Sequence, residues 1–321
     1  MTAETLAHRG AAIGLRRLAD NVEQVITGKR HVVELAVLAL ASGGHLLLED
    51  VPGVGKTVLA RSLARSIDGG FARVQGAPDL LPADVTGSSI YVQHLQEFEF
   101  VPGPLFANVV LVDELNRTTP RTQAALLEAM EEHQVTVDGI THDLPHPHFV
   151  VATQNPLEHV GTYPLPESQL DRFALATSVG YPTTTEESAV VRAQVLRHPL
   201  ESLQPVLTVS DVARLQEQVR AVPVTDEIIA YAVRLVDGTR SHPGVELGAS
   251  PRATIQLIHA AQARAAMEGR DYVLPDDVKA LAPAVLAHRL IVGRGPGGDQ
   301  PDKRAIVAQL LQAVPVSGRE T

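Results

Sequence analysis

A lysine and a threonine stand side by side, Lys56-Thr57, after the turn-prone stretch Asp50-Val51-Pro52-Gly53-Val54-Gly55 and before Val58. Glycines at such a place let backbone N–H groups turn toward an anion. A helix starting near Lys56 aims its positive end at the same point. The apolar run His45-Leu46-Leu47-Leu48 reads as the strand before this loop, and Val58 to Arg65 as the helix after it. Strand, glycine loop, Gly-Lys-Thr and helix, in that order, make a phosphate-binding loop for ATP that runs from Asp50 to Val58. In it Lys56 reaches the β- and γ-phosphates, and the Thr57 hydroxyl ligates Mg²⁺. The first position of such a loop is usually glycine; Asp50 stands there and reads as a tolerated change at the strand exit.

A second pair, Asp113-Glu114, closes the run Ala107-Asn108-Val109-Val110-Leu111-Val112. The run reads as a buried parallel strand that delivers charge to its C-terminal edge, where ligands bind in an open α/β sheet. Asp113 would hold Mg²⁺ through its water shell, and Glu114 would polarise the attacking water. Three other residues have chemistry with more than one reading. Asn155 follows the strand Phe149 to Thr153; its amide suits orienting that water, and equally a turn before Pro156. Arg172, in Leu170-Asp171-Arg172-Phe173, is a surface residue, an ion-pair partner of Asp171, or an arginine finger lent to a neighbouring subunit. Arg252 falls in the first turn of a helix capped by Ser250-Pro251. A cation there opposes the helix dipole, which suggests contact with bound phosphate; the other reading is a plain solvated arginine.

The elements that must position these groups follow from apolar spacing and punctuation. Helices are expected over Leu15–Ile26 and Arg30–Ala41, with Val25 and Ile26 placed either in the core or as a wall for adenine. Phe71–Gln75 is a strand, Asp79 to Asp84 a polar loop or helical turn, and Ser88–Phe100 alternates enough for strands or a hairpin. Thr119-Pro120 starts a helix that runs to about His133, and Gln134–His142 is a hairpin around Asp138-Gly139. His142, His146 and His148 beside it read as a solvated strand edge rather than a metal site, because no carboxylate spacing completes one. After Tyr181-Pro182 the β-like runs stop. Helices follow at about Glu186–Arg197, Ser210–Arg220, Asp226–Thr239, Pro251–Glu268, Pro275–Leu290 and Asp302–Val314, with a glycine-rich loop from Gly293 to Gln300. The expected organisation is an α/β domain over residues 1–182 and an all-α domain over 183–321.

Composition narrows the function classes. A chain of 321 residues suits two domains. It contains no cysteine, which excludes disulfides and thiolate chemistry and fits a reducing compartment. No stretch is long and uninterrupted enough to span a bilayer, and the N-terminus lacks the apolar core of a signal peptide, so a soluble cytoplasmic protein is expected. The net charge of −10 and an aromatic content of 3% argue against broad nucleic-acid binding.

Several motifs together carry a resemblance. They are Leu48 to Thr57, Pro102 to Asn108, Val112 to Arg117, Thr122 to Glu132, Ala152 to Pro156, Leu170 to Phe173 and Gly248 to Arg252. In this ordered set the chain resembles the MoxR branch of the AAA+ ATPases from about Val25 to Arg289. That family commonly has aspartate or glycine before its Val-Pro-Gly, which accommodates Asp50. The resemblance implies that Asn155 is the sensor 1 residue, Arg172 the arginine finger and Arg252 the sensor 2 residue on a helical lid. It also implies a helix 2 insert near 88–100 and a pre-sensor 1 hairpin near 134–148. It further implies a hexameric ring with ATP between subunits, chaperone-like remodelling that matures a cofactor or metal centre in a client, and a partner with a von Willebrand factor A domain. The alternatives are a magnesium-chelatase-like or nucleic-acid motor, and a nucleotide-gated scaffold with little turnover; Glu114 and Arg172 weigh against the scaffold.

Overall fold

The computed structural model describes residues 3–155, 161–196, 199–293 and 301–316. Pro156, Arg197 and residues 294–300 lie outside them. The chain begins with α1 (Ala3–Glu23) and α2 (Arg30–Ala41), then β1 (Leu46–Glu49), α3 (Lys56–Ser66) and β2 (Phe71–Gln75). A short α4 (Pro82–Thr86) leads into the hairpin β3 (Gly87–Val92) and β4 (Glu97–Pro102), and β5 (Val109–Asp113) follows. Next come α5 (Pro120–Glu132), the hairpin β6 (Gln134–Val137) and β7 (Ile140–Asp143), β8 (Phe149–Gln154), α6 (Glu167–Leu170) and β9 (Leu175–Thr177).

The sheet has five strands in the order β2-β5-β8-β1-β9, and every pairing is parallel. The C-terminal ends of β1, β5 and β8 therefore lie side by side. Alternate residues of these strands feed two apolar cores, as a period of two requires. Leu46, Leu48, Val109, Leu111, Phe149 and Val151 face one side, against α1, α2 and α3. Leu47, Val110, Val112, Val150 and Ala152 face the other, against Leu126, Leu127 and Met130 of α5. Both faces are covered, so these strands are continuous apolar runs.

Beyond the sheet lie α7 (Thr184–Leu196), α8 (Pro199–Ser202), α9 (Val209–Arg220) and α10 (Asp226–Ser241), then β10 (Val245–Leu247), α11 (Pro251–Met267), α12 (Pro275–Leu286), β11 (Ile291–Val292) and α13 (Lys303–Ala313). Leu215, Tyr231, Leu257 and Leu281 from these helices join the same core as Leu15 and Leu18 of α1 and Leu59 of α3. The helical lid and one face of the sheet thus share a single apolar interior.

Four expectations change. The first helix starts at Ala3 rather than Leu15, since Ala11, Leu15, Leu18 and Val22 continue one buried stripe. The lid is not all-α: β10 and β11 form a small antiparallel ribbon. The helix expected to run to Leu290 ends at Leu286, before β11, and passes into a 3-10 turn, Ala287–Arg289. The three histidines make a solvated edge only in part: His146 is exposed and His142 half-buried. His148 is buried and packs edge-on against His45, while the His142 ring stacks on Phe100 at 3.8 Å. Among the described residues no group of His, Asp and Glu side chains is placed to hold a metal ion, and no helix is long and apolar enough to cross a membrane.

Candidate functional site

The loop after β1 carries its two glycines at φ 87° (Gly53) and 97° (Gly55), a left-handed conformation that other residues rarely adopt. An added Cβ at either would meet nothing within 4 Å, so the loop forms an open cradle. Lys56 opens α3, and its Nζ donates to the carbonyls of Asp50 (3.0 Å) and Val51 (3.3 Å). The ammonium is thus held by neutral acceptors that a phosphate, a stronger charged acceptor, would replace. The Asp50 carboxylate faces away from the cradle. It accepts from the backbone N–H of Val179 and from that of Gly180 (3.1 Å).

A cleft of about 410 Å³ opens over this loop, lined by Pro52, Gly53, Gly55, Lys56, Thr57, Val58, Arg73, Gln75, Asp113, Glu114 and Asn155. Asp113 Oδ1 accepts from the Thr153 hydroxyl (2.8 Å), and Oδ2 from Arg73 (2.7 Å). Glu114 Oε2 accepts from Gln75 Nε2 and Arg117 NH1, both at 3.0 Å. The Glu114 backbone is left-handed (φ 57°, ψ 50°), an uncommon state for a residue with a side chain. Two contacts fix it there. Its N–H donates to Thr153 Oγ1 (2.9 Å), and its carbonyl lies so close to Gly76 that a Cβ at 76 would sit 2.1 Å from the oxygen.

The Thr57 hydroxyl and the Asp113 carboxylate are hard oxygen donors in this one cleft. Such a set fits Mg²⁺, which is held by few protein oxygens and completed by phosphate and water. A cation bound directly at Asp113 Oδ2 would displace Arg73.

Arg172 and Arg252 do not line this cleft. They line a separate pocket of about 170 Å³ with Gly43, Gly44, His45, Met130, Glu131 and Gln256. Glu131 joins them, with one oxygen 3.2 Å from Arg172 Nε and the other against the Arg252 guanidinium. Asp171 is not the partner of Arg172. Its Oδ1 accepts from Arg289 Nε (2.8 Å) and its Oδ2 from the Ser250 hydroxyl (2.7 Å). Arg289 is 4% exposed. Burial lowers its pKa to about 10 against the opposing pull of Asp171, so it stays charged near neutrality.

The comparisons with known proteins agree with this geometry. The profile of the ATPase family associated with various cellular activities (AAA) matches residues 45–175, and the AAA lid domain profile matches 237–310. The YeaC protein of Bacillus subtilis is 51% identical over 94% of this chain and 94% of its own length. Chaperone MoxR1 of Mycobacterium tuberculosis is 40% identical, covering 94% of this chain and 81% of its own. The chain belongs to the MoxR family of AAA+ ATPases. A crystal structure of a Cytophaga hutchinsonii protein described as an ATPase superposes with a TM-score of 0.90 at 36% identity, over 98% of this chain and 97% of that one.

Within the MoxR fold the structure sorts the expected site residues into two groups. Gly53, Gly55, Lys56, Thr57, Asp113, Glu114 and Asn155 share the cleft; Arg172 and Arg252 share the other pocket. Ile26, weighed as an adenine wall, is buried in the core, and neither it nor Val25 lines the cleft. Arg73, Gln75, Gly76 and Thr153 escape sequence reading. Arg73 and Gln75 carry one signal, being polar residues of a strand that ends at the same sheet edge as β5.

Proposed function

We propose that this MoxR-family chain hydrolyses ATP at the Lys56 cleft, and that a second copy completes the site with its Arg172 and Arg252. The observation that carries this reading is the split just described. One chain holds the cradle, the Mg²⁺ donors and Glu114 in one cleft, and both arginines in another pocket. Lys56 and the cradle N–H groups bind and orient the phosphates. Thr57 and Asp113 would hold Mg²⁺, which would supply charge neutralisation on the phosphates. Glu114, released from Gln75 and Arg117, accepts a hydrogen bond from the attacking water, and Asn155 helps to orient it. The neighbour's arginines stabilise charge on the transferring group, so the residues act by position and electrostatics.

The work done by turnover is proposed to be remodelling of a protein client, which the name of the MoxR1 chaperone supports. The hairpin β3–β4 supports it too, since Ile90, Tyr91, Leu95 and Phe98 are exposed there. A hexameric ring, a partner with a von Willebrand factor A domain and maturation of a metal or cofactor centre belong to the same reading.

The test mixes Lys56→Ala and Arg172→Ala subunits after light scattering has verified that they co-assemble. Each variant alone is expected to lose ATPase activity, the arginine variant by about 10³-fold or more. In a mixed ring the Arg172→Ala copy offers an intact cleft and its Lys56→Ala neighbour an intact arginine, so activity returns at some sites. A flat, inactive profile across mixing ratios would overturn the two-copy site.

A further inference from the structure

Arg172 and Arg252 are 80 positions apart in sequence, on a loop of the α/β part and on the first turn of a lid helix, yet one carboxylate, Glu131, meets both. The pairing needs the loop and the helix to stand in fixed register. Two paired side chains, Asp171 and Arg289, provide that register. Asp171, the residue before Arg172, accepts from the Ser250 hydroxyl at 2.7 Å. The same hydroxyl oxygen accepts from the Arg252 backbone N–H at 3.1 Å and so caps α11. Asp171 therefore reaches the start of the helix that carries Arg252 through one hydroxyl. Its other oxygen pairs with Arg289, whose NH2 also donates to the carbonyls of Asp171 (3.2 Å) and Phe173 (2.6 Å). Those carbonyls bracket Arg172 on both sides. Arg289 NH2 also contacts Gln256, on the helix that Ser250 caps. A buried guanidinium needs such a counter-charge and such acceptors, and here the acceptors come from the loop whose position matters.

We infer that Asp171 is the positioning residue of the arginine pair: with Arg289 and Ser250 it locks the Arg172 loop to the α11 N-terminus, so that the two arginines reach a neighbouring copy's phosphate as one unit. The inference rests on the two-copy reading proposed above. It makes Asp171 silent toward its own chain's cleft, because none of its contacts lie there.

Steady-state ATP turnover of assembled protein tests it. Asp171→Asn is expected to lower kcat by about 10-fold to 10²-fold, the cost of displacing an aligned group by about an ångström, with KM for ATP little changed. In an Arg172→Ala background the same substitution is expected to cost less, because only Arg252 is left for it to misplace. Mixed with Lys56→Ala subunits, Asp171→Asn subunits are expected to regain activity as Arg172→Ala subunits do. Should Asp171→Asn fail to fold because Arg289 is left unpaired, Ser250→Ala carries the test: a drop in kcat of about 10-fold, with Ser250→Thr restoring it. Wild-type turnover in both Asp171→Asn and Ser250→Ala would overturn the inference. So would an undiminished loss from Asp171→Asn in the Arg172→Ala background, or a raised KM with kcat kept. If those two variants are silent while Arg172→Ala is inactive, the inference fails alone. If Arg172→Ala itself turns over like wild type, the two-copy reading fails and takes the inference with it.

Discussion

Glu114 shows how much of a reactive group's behaviour is set by residues that never touch substrate. Its left-handed backbone is held by Thr153 and depends on a bare Cα at Gly76. Gly76→Ala drives a methyl into the Glu114 carbonyl, so the carboxylate must shift. The expected result is a fall in kcat of about 10²-fold with ATP affinity kept, read by phosphate release alongside nucleotide binding. Gln75→Ala is expected to act differently, since it removes one of two donors to Glu114 Oε2. Turnover without a neighbour's stimulus should rise, and an unchanged basal rate would show that Arg117 alone holds the carboxylate. Lys56, Thr57, Asp113 and Glu114 were legible in sequence because each lies in a short local motif. Gln75, Gly76 and Thr153 were not, because their importance arises from strand neighbours that only the register of β2, β5 and β8 brings together.

Asp50 carries the lesson at the scale of elements. Read as a tolerated change within the phosphate loop, it turns out to tie the end of β1 to the segment after β9. It is 6% exposed, and removing its carboxylate orphans the buried Val179 N–H and the partly buried Gly180 N–H. Asp50→Gly restores the usual residue of such loops. It is expected to keep ATP affinity within a few-fold while lowering stability by about 1–3 kcal/mol, measured as the urea midpoint. A loss of ATP binding without a change in stability would return Asp50 to the phosphate site. Legibility followed distance along the chain here as well. The hairpin β6–β7 was plain from Asp138-Gly139, both at positive φ as a tight turn demands. The ribbon of β10 and β11 was not, because two or three residues each, separated by two helices, leave no periodic signal.

For the molecule as a whole, buried histidines predict how the fold responds to acid. Burial lowers His45 to about 4, against the opposing Met130 carbonyl, and lowers His148 to about 3 with His45 and His133 adding repulsion. His45 Nδ1 accepts from the Val150 N–H, so the ring is neutral in the fold. The unfolded chain binds the proton more readily, and stability therefore rises with pH in this range. The contribution is complete above about 6.5 and is lost as pH falls toward 4 and then 3. For His45 alone the loss between pH 8 and pH 4 is on the order of 3 kcal/mol. Urea midpoints across that range should show it, and a His45→Gln variant should show a flatter profile. The two-part organisation was visible in sequence as the end of β-like runs after Tyr181, but the union of lid and sheet around one interior was not. Contacts of α1 with α9 and α11 join stretches too far apart for periodicity to connect.

That common interior has a mechanical meaning. Swinging the lid on its linker would pull Leu215 of α9 and Leu257 of α11 out of an apolar seam with α1 and α2, at roughly 25 cal/mol for every Å² wetted. Wetting much of that surface would consume a large share of the free energy that hydrolysis of one phosphate bond releases. The chain is built as a wedge rather than a jaw: under the two-copy reading proposed above, motion falls on the joint between copies and not on the seam between lid and sheet.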